Sequence, residues 1–379
     1  MTSSSQYGQG SAPPPGFAQA RTRHQRARSA GMDPDHWYPV ERDSALRRGQ
    51  VVEVTFWKRS IALFRGEDGV LRAVNNRCAH RQLALTEGRV VGCALTCMYH
   101  GWSHDGDGKV SHIPHERFGR PLPRTSIGSY PVQVRYGLIW IFPGNPELAA
   151  SRPVPEVPEL TGVDPWPCVP VDAVWNGHHS MIIDNVSDFT HAYLHRKYQP
   201  FVDATLTSLD SDDDRVRVSY RTKVGGSRMA RLLIDPTVDT GSINLCYEYP
   251  YQWSDTGGKI KHWCFLLPID ERTTRAFFLF LFAPDLYRIP FLPVRLPRML
   301  VTPLLRAARR AYIEPLLDQD RVAIESEQRG YERYHGALIP ELNPAVREMQ
   351  ALTVKKWAGY ADSTASLPAP TDRRSAAHA

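Results

Sequence analysis

Short segments in which apolar and polar residues alternate dominate the first third of the chain. Val51–Trp57 and Ser60–Phe64 alternate in this way, and Glu67-Asp68-Gly69 offers a turn before Leu71–Val74. Alternation with a period of two is typical of half-buried β-strands, and breaks that contain Gly and Asp are typical of tight turns. The pattern therefore predicts an all-β domain, rich in hairpins, that closes with the apolar strand Tyr136–Phe142.

Prolines are dense between Pro143 and Pro170. Because proline lacks a backbone N–H and fixes φ, this density excludes helix and central strand. We interpret residues 146–170 as an extended linker over the surface. It would join a first domain at residues 36–145 to a second domain at residues 171–360.

The second domain combines helical and strand patterns. The spacing of apolar residues predicts helices at His178–His195, Leu304–Tyr312 and Glu314–Arg329. Runs rich in β-branched and aromatic residues predict strands at Arg215–Thr222, His262–Leu267 and Ala276–Phe282. The mixture indicates an α+β fold, with one antiparallel sheet and helices packed against it.

Both ends of the chain are expected to be disordered. Residues 1–31 and 361–379 bury too little apolar surface to offset the entropy lost on ordering. The leader has no acidic residue but contains four arginines, Arg21, Arg23, Arg26 and Arg28. Removing these four from the formal net charge of +6 leaves +2 for the rest of the chain. A body so close to neutral gives no reason to expect nucleic-acid binding.

The hydrophobic pattern also bears on location. No apolar run is long enough to cross a membrane, and no apolar segment follows the basic residues of the N-terminus as in a signal peptide. We therefore expect a cytoplasmic protein without stable membrane insertion. In that compartment the six cysteines are not expected to form a disulfide framework.

Two of the cysteines lie in matched loops, Cys78-Ala-His80 and Cys97-Met-Tyr-His100. Each loop offers one thiolate and one imidazole, a donor set that suits zinc or a mixed-ligand iron–sulfur cluster. Zinc sites usually pair Cys with Cys and His with His. The alternation of Cys and His therefore favours a [2Fe–2S] cluster in which one iron takes both cysteines and the other takes both histidines. Zinc is the alternative.

The motif Cys-x-His-Arg followed by Cys-x2-His-Gly-Trp resembles the Rieske domain of ring-hydroxylating oxygenases. Respiratory-chain Rieske proteins have an extra cysteine in each loop and a serine after His-Gly, at the positions of Leu83, Met98 and Trp102. Fewer hydrogen bonds to the cluster sulfurs should lower its potential, which fits reduction by electrons derived from NAD(P)H. We expect Gly101 to let the backbone approach the cluster. We expect Cys93, between the loops, to be a small buried apolar residue.

His191 and His195 form a second candidate site. At positions i and i+4 of a helix they would share one face, with Asp188 one turn before His191. Such a pair alone is a weak signal for a metal. The segment that starts at Asn185, however, resembles the oxygenase pattern Asn-x2-Asp-x2-His-x3-His, whose histidines bind a mononuclear iron. An iron of this type also needs one carboxylate.

Asp318 and Asp320 are the candidates for that carboxylate. At about 100° per residue, Asp320 shares a helix face with Leu316, Leu317 and Ile324, whereas Asp318 points about 200° away. Because the apolar face must be the buried one, Asp320 is the better ligand.

The resemblance covers about Trp37 to Arg329. It implies a Rieske [2Fe–2S] domain, a helix-grip catalytic domain that binds Fe(II), and the activity of a terminal oxygenase. Electrons from NAD(P)H would pass from a reductase, directly or through a ferredoxin, by way of the cluster to the iron. There O2 would oxidise, and most simply hydroxylate, an apolar substrate that is aromatic or polycyclic. Desaturation, demethylation and oxidative cyclisation are alternatives within this architecture, and an electron-carrier Rieske protein is the alternative from another class.

The family resemblance also implies an assembly. The aspartate at the position of Asp188 reaches towards a cluster histidine of a neighbouring subunit, because the metal sites of one chain are too far apart for fast electron transfer. Here His80 or His100 of one chain would face Asp188 of the next, which gives Asp188 a catalytic role. From its spacing, the Asp188 carboxylate should also bond the free ring N–H of His191. Such a heterologous contact should close into a ring, which we expect to be a homotrimer.

Overall fold

The computed structural model describes residues 12–195, 198, 201–224, 241–284 and 298–365. The strands of the first domain are β1 Tyr38–Arg42, β2 Gln50–Phe56, β3 Arg59–Arg65, β4 Leu71–Asn75, β5 Arg89–Val91, β6 Ala94–Thr96, β7 Ser103–His104, β8 Val110–His112, β9 Ser129–Tyr130, β10 Val132–Arg135 and β11 Leu138–Ile141. They form three antiparallel sheets, ordered β1-β11-β10, β2-β3-β4-β9 and β5-β6-β7-β8. The hairpin-rich β domain predicted from alternation is confirmed.

The second domain is built on one large antiparallel sheet. Its strands are β12 Cys168–Trp175, β13 Phe201–Ser211, β14 Arg215–Val224, β15 Ser242–Glu248, β16 Tyr251–Thr256, β17 Ile260–Pro268 and β18 Thr274–Phe282. Within the described residues the order is β12-β18-β17-β16-β15-β14-β13. The α-helices in the described part of the chain are α1 Arg23–Ser29, α2 Pro158–Thr161, α3 His179–Ser187, α4 Arg298–Ala308, α5 Glu314–Tyr334 and α6 Pro344–Ala365. The α+β prediction is confirmed.

The two domains share one hydrophobic core. Trp140 of β11 meets Phe265 of β17 edge to face, with 5.0 Å between the ring centroids. At the same boundary Arg275 of β18 pairs with Glu41 of β1 and with Asp172 of β12, each at 2.9 Å. The first domain is therefore fixed on the sheet of the second by packing and by ion pairs.

A strained turn strengthens this junction. Trp57 and Lys58 link β2 to β3 with φ values of 44° and 66°, a conformation that non-glycine residues rarely adopt. Their amides donate to the carbonyls of Pro268 and Ile269, at 2.8 and 2.7 Å. These bonds to the hairpin that joins β17 and β18 offset the strain of the turn.

The proline-rich segment differs from the linker prediction in two details. A single helical turn, α2, begins at Pro158, a position where the missing N–H costs nothing because it has no helical partner. Pro170 lies inside β12, opposite Leu279 of β18. That strand tolerates proline because it is at the edge of the sheet.

The prediction that residues 1–31 are disordered is wrong for the part described, residues 12–31. Thr22 and Gln25 form a capping box that starts α1, and Ala27, Ala30 and Met32 are fully buried. Residues 1–11 lie outside the described residues. At the other end α6 continues to Ala365, so the predicted disorder is also wrong for residues 361–365, and residues 366–379 lie outside the described residues.

Arg28 explains why the basic leader is ordered. Its side chain is only 4% exposed, and Nη2 lies 2.7 Å from both Asp184 of α3 and Glu327 of α5. Nη1 donates to Ser180 at 2.8 Å. Burial by itself lowers the pKa of Arg28, but the two carboxylates outweigh it and raise that pKa. A residue that composition assigned to a solvated tail is thus the buried link between two helices.

Within the described residues, none of the helices is both long enough and apolar enough to cross a membrane.

We predict that Arg28→Met destabilises the protein by about 3–5 kcal/mol, because it leaves Asp184 buried without its cation. Arg23→Met is the matched control, since Arg23 lies on the same helix but is exposed. Urea denaturation of the two variants measures the difference. Equal midpoints would show that the ion pair does not hold the leader.

Candidate metal centres and substrate cavity

The two Cys/His loops of the first domain have the same backbone design. The amide of Cys78 donates to the carbonyl of Leu83 at 2.7 Å, and the amide of Cys97 donates to the carbonyl of Trp102 at 2.9 Å. Each loop therefore turns back after five residues and presents its cysteine and histidine on the same side. The sequence pairing of the loops reflects a repeated local structure.

The four side chains converge. Both thiols are buried, and the rings of His80 and His100 lie 4.5 Å apart between centroids. Burial and the neighbouring Cys97 thiol raise the pKa of Cys78, so deprotonation of both cysteines needs a cation between them. Nδ1 of His80 is buried and has no hydrogen-bond partner among the described residues. Two thiols and an orphaned imidazole nitrogen fit the donor set of a mixed-ligand [2Fe–2S] cluster.

The backbone angle and the neighbours of Gly101 show why this position requires glycine. Its φ is +69°, and a Cβ there would lie 2.7 Å from Cγ of Pro114, so both the left-handed backbone and close packing require glycine. Trp102 stacks on His80 with 4.5 Å between centroids. Met98 and Tyr99 are exposed, which places the tip of the second loop at the surface.

Cys93 was predicted to be buried, and that prediction is wrong. It is exposed because it lies, after Gly92, in the two-residue turn between β5 and β6. The tip of a tight hairpin projects into solvent.

The second candidate site begins where a helix breaks. The predicted continuous helix His178–His195 is wrong, since α3 ends at Ser187 and a 3-10 segment, Phe189–Tyr193, follows. Asp188 has φ −99° and ψ 90°, and its carboxylate caps the new segment by accepting from the amide of Thr190 at 2.9 Å. The break reorients the segment that carries both histidines.

His191, His195 and Asp320 meet at one point. The two Nε2 atoms are 3.2 Å apart, and Oδ1 of Asp320 lies 3.7 Å from His191 Nε2 and 3.3 Å from His195 Nε2. Ligand atoms bonded to one metal at about 2.1 Å and at right angles are separated by about 3 Å. The geometry fits two histidines and one carboxylate on one face of a metal, the arrangement of non-haem iron oxygenases.

Hydrogen bonds at the other ring nitrogen orient each histidine. Nδ1 of His191 donates to the backbone carbonyl of Asp188, and Nδ1 of His195 donates to Oε1 of Gln319 at 3.0 Å. Both rings therefore present the lone pair of Nε2 to the site. The prediction that the Asp188 carboxylate orients His191 is wrong, because that carboxylate is turned to Thr190 and only the carbonyl faces the ring.

The structure also decides between the two aspartates of α5. Asp320 is buried and accepts from Nδ2 of Asn185 at 3.2 Å. Asp318 is exposed and pairs with Arg321 at 2.6 Å. The helical-face argument therefore chose the aspartate that lies beside the histidines. Sequence reasoning missed Gln319, whose only signal was its position next to Asp320.

The charge of Asp320 affects the pKa of both histidines. Burial lowers the pKa of His191. Burial acts in the same direction on His195, but the hydrogen bond and charge of Asp320 outweigh it and raise the pKa of that ring. A carboxylate shared by two imidazoles is therefore the centre of the site.

A cavity of about 260 Å³ opens onto the side chains of His191, His195 and Asp320. The sheet contributes Phe278, Phe280 and Phe282, which lie on one face of β18, and the helices contribute apolar side chains such as Leu305 and Leu316. Among the described residues that line it, none is Lys or Arg. The cavity is suited to an uncharged, largely apolar molecule.

Comparison with known proteins gives the family. Residues 36–131 match the Rieske [2Fe-2S] domain, and residues 175–358 match the vanillate O-demethylase oxygenase C-terminal domain. The chain is 47% identical to 4beta-methylsterol monooxygenase of Methylococcus capsulatus, over 90% of this chain and 93% of that protein. This chain belongs to the Rieske non-haem iron oxygenases. The oxygenase thus uses a [2Fe–2S] cluster, a mononuclear Fe(II) and electrons from NAD(P)H that a partner delivers.

Other relatives agree with this assignment. The oxygenase is 38% identical to the oxygenase component of dicamba O-demethylase of Stenotrophomonas maltophilia, over 36% of this chain and 40% of that protein. The crystal structure of dicamba monooxygenase bound to dicamba has the same fold, with a TM-score of 0.69 at 21% identity, over 89% of this chain and all of that one. Membership of this family favours a [2Fe–2S] cluster over zinc in the loops, and an oxygenase over an electron carrier.

We predict that Asp320→Ala removes the mononuclear iron and the activity but leaves the cluster iron and inorganic sulfide in place. The reason is that, among the described residues, Asp320 is the carboxylate that groups with both imidazoles within 4.8 Å, while the cluster loops lie in the other domain. Metal and sulfide analysis of the purified variants measures the loss. Asp318→Ala is the control and should retain both iron groups; loss of the mononuclear iron there instead would reverse the ligand choice.

Proposed function

We propose that this oxygenase hydroxylates a methyl group of a neutral polycyclic substrate of the sterol type. In this proposal the cluster is held by Cys78, His80, Cys97 and His100, and the mononuclear iron is held by His191, His195 and Asp320. The observation that carries the proposal is the apolar cavity that opens onto the three-ligand site. When bound, the two iron groups supply stored electrons and the activation of O2.

The residues of the chain bind the substrate and keep water out. Phe278, Phe280 and Phe282 form an aromatic wall on β18, and helices α4 and α5 cover the opposite side. A large apolar molecule gains most from such walls. The absence of Lys and Arg among the described lining residues disfavours substrates that carry a carboxylate, which would enter without a counter-charge.

The relative with 47% identity favours one reaction among those the family can catalyse. Its name specifies monooxygenation of a 4β-methylsterol, and the match extends over nearly the whole of both chains. Oxidation of a methyl carbon is therefore favoured over ring dioxygenation, desaturation and oxidative cyclisation.

The function can be tested with the purified oxygenase, NADH and a surrogate reductase under 18O2. We predict that a sterol with a 4β-methyl group is converted to a product that contains one labelled oxygen on that methyl carbon. The same sterol without the 4β-methyl group is the control and should give no such product. Mass spectrometry of the products decides, and labelled oxygen on the ring system instead would contradict methyl oxidation.

We further propose that the oxygenase is a cytoplasmic homotrimer that accepts electrons from a reductase, directly or through a ferredoxin. Exposed side chains lie beside both metal sites, Met98 and Tyr99 on the cluster loop and Tyr193 next to the iron histidines. Tyrosine and methionine are enriched at protein–protein interfaces, so these exposed side chains support contact between subunits. In the trimer His80 or His100 of one subunit would face Asp188 of the next.

The hydrogen bonds of the Asp188 carboxylate support such a contact. Oδ1 accepts from Thr190 at 2.9 Å and from Nδ2 of Asn343 at 2.9 Å. No described residue donates to Oδ2, so this oxygen is left to accept a hydrogen bond from a cluster histidine of the next subunit. Because the Asp188 carbonyl bonds His191, one residue would connect the two iron groups.

We predict that Asp188→Asn keeps both iron groups but slows electron transfer between them by orders of magnitude. The substitution preserves the shape of the side chain while it removes the charge that accepts the ring N–H of the cluster histidine. Single-turnover oxidation of the pre-reduced cluster, with substrate and O2 present, measures the rate. An unchanged rate, or full activity in a monomer, would rule out the path between subunits.

A further inference from the structure

One polar pair stands out in the apolar cavity. Ser254 of β16 and His262 of β17 are directly opposite in the register of the sheet, and both line the cavity. Their side chains contact each other, with Ser254 Oγ 2.7 Å from Nδ1 of His262. The pair lies on the sheet side of the cavity, on a different element from the three ligand residues.

The pair keeps unused hydrogen-bonding capacity. Nε2 of His262 has only a 3.4 Å contact, and that contact is to the same Ser254 hydroxyl. One hydroxyl cannot make a well-aligned bond to both ring nitrogens. The ring of His262 is partly exposed where it lines the cavity, and Phe280 packs beside it at 5.7 Å between centroids. The missing partner of Nε2 is therefore best supplied by a molecule in the cavity.

The protonation state of His262 limits which chemical groups could bond to Nε2. Burial lowers the pKa of His262 to about 4, with Asp320 acting in the opposite direction. The imidazole is neutral at neutral pH and has one donor and one acceptor. Together with the Ser254 hydroxyl it matches an alcohol or a ketone, whereas a carboxylate would require a cation.

We propose that Ser254 and His262 bind the hydroxyl group of the substrate and so decide which carbon faces the iron ligands. This inference rests on the proposed function, because it adds the anchor by which a sterol is held. A sterol has its hydroxyl on C3, and C4 is the adjacent carbon. The pair lines the same cavity as His191, His195 and Asp320, so a hydroxyl held by the pair would leave the neighbouring methyl group within the cavity onto which those three side chains open.

The test compares a 4β-methylsterol with its 3-deoxy analogue. Dissociation constants are measured by equilibrium dialysis against wild type, His262→Leu, Ser254→Ala and the control Thr256→Val. Thr256 also lines the cavity but is not part of the pair. Wild type should bind the alcohol about tenfold more tightly than the deoxy compound, as expected for one neutral hydrogen bond. The ratio should fall towards one in His262→Leu and decrease in Ser254→Ala, while Thr256→Val keeps it.

The outcomes separate the anchor from the reaction. A wild-type ratio near one, or a ratio unchanged in both His262→Leu and Ser254→Ala, overturns the anchor even if the methyl group is hydroxylated. Loss of the ratio in these variants supports the anchor even if no hydroxymethyl product forms, and then the proposed reaction alone fails. With the alcohol as substrate, we also expect the His262→Leu variant to give products oxidised at carbons other than that of the 4β-methyl group.

Discussion

The meeting of His191, His195 and Asp320 depends on the end of α3 being held against α5, and the ion pairs of the buried Arg28 help to hold the two helices together. Arg28 joins Asp184 of α3 to Glu327 of α5, and Asn185, the next residue of α3, bonds Asp320. A buried cation with two carboxylates is costly to separate, so the two helices keep one relative position. That position brings ligand atoms from segments far apart in the chain to within 4.8 Å of one another.

The arrangement of the three side chains also requires the helix break at Asp188. In a continuous helix, the carbonyl of Asp188 would be directed along the helix axis, whereas here it accepts from Nδ1 of His191. The Asp188 carboxylate does not contact the His191 ring and instead caps the following 3-10 segment. Asp188 thus ends α3, caps the 3-10 segment and orients the ring of His191 through its backbone carbonyl, which does not depend on the charge of its side chain.

The cavity shows how one scaffold accommodates different substrates. A structure with only 21% sequence identity shares the fold over 89% of the chain, so the sheet and helices do not themselves specify a substrate. Specificity depends on the side chains that the sheet presents. Here they include the aromatic wall of β18 and a polar pair, Ser254 and His262, so the described lining is largely apolar with a few uncharged polar groups.

The sequence by itself determined the local features. Period-two alternation predicted the hairpins of the first domain, the repeated Cys/His motifs predicted two matched loops, and the helical face of Asp320 selected the aspartate that lies beside the two histidines. Tertiary structure alone decided the rest. The order of the leader depends on partners of Arg28 that are remote in the chain, and the contacts of Gln319 with His195 and of His262 with Ser254 form only when other elements pack together. Periodicity and motif spacing report neighbours along the chain, whereas burial and ion pairing depend on neighbours that only folding supplies.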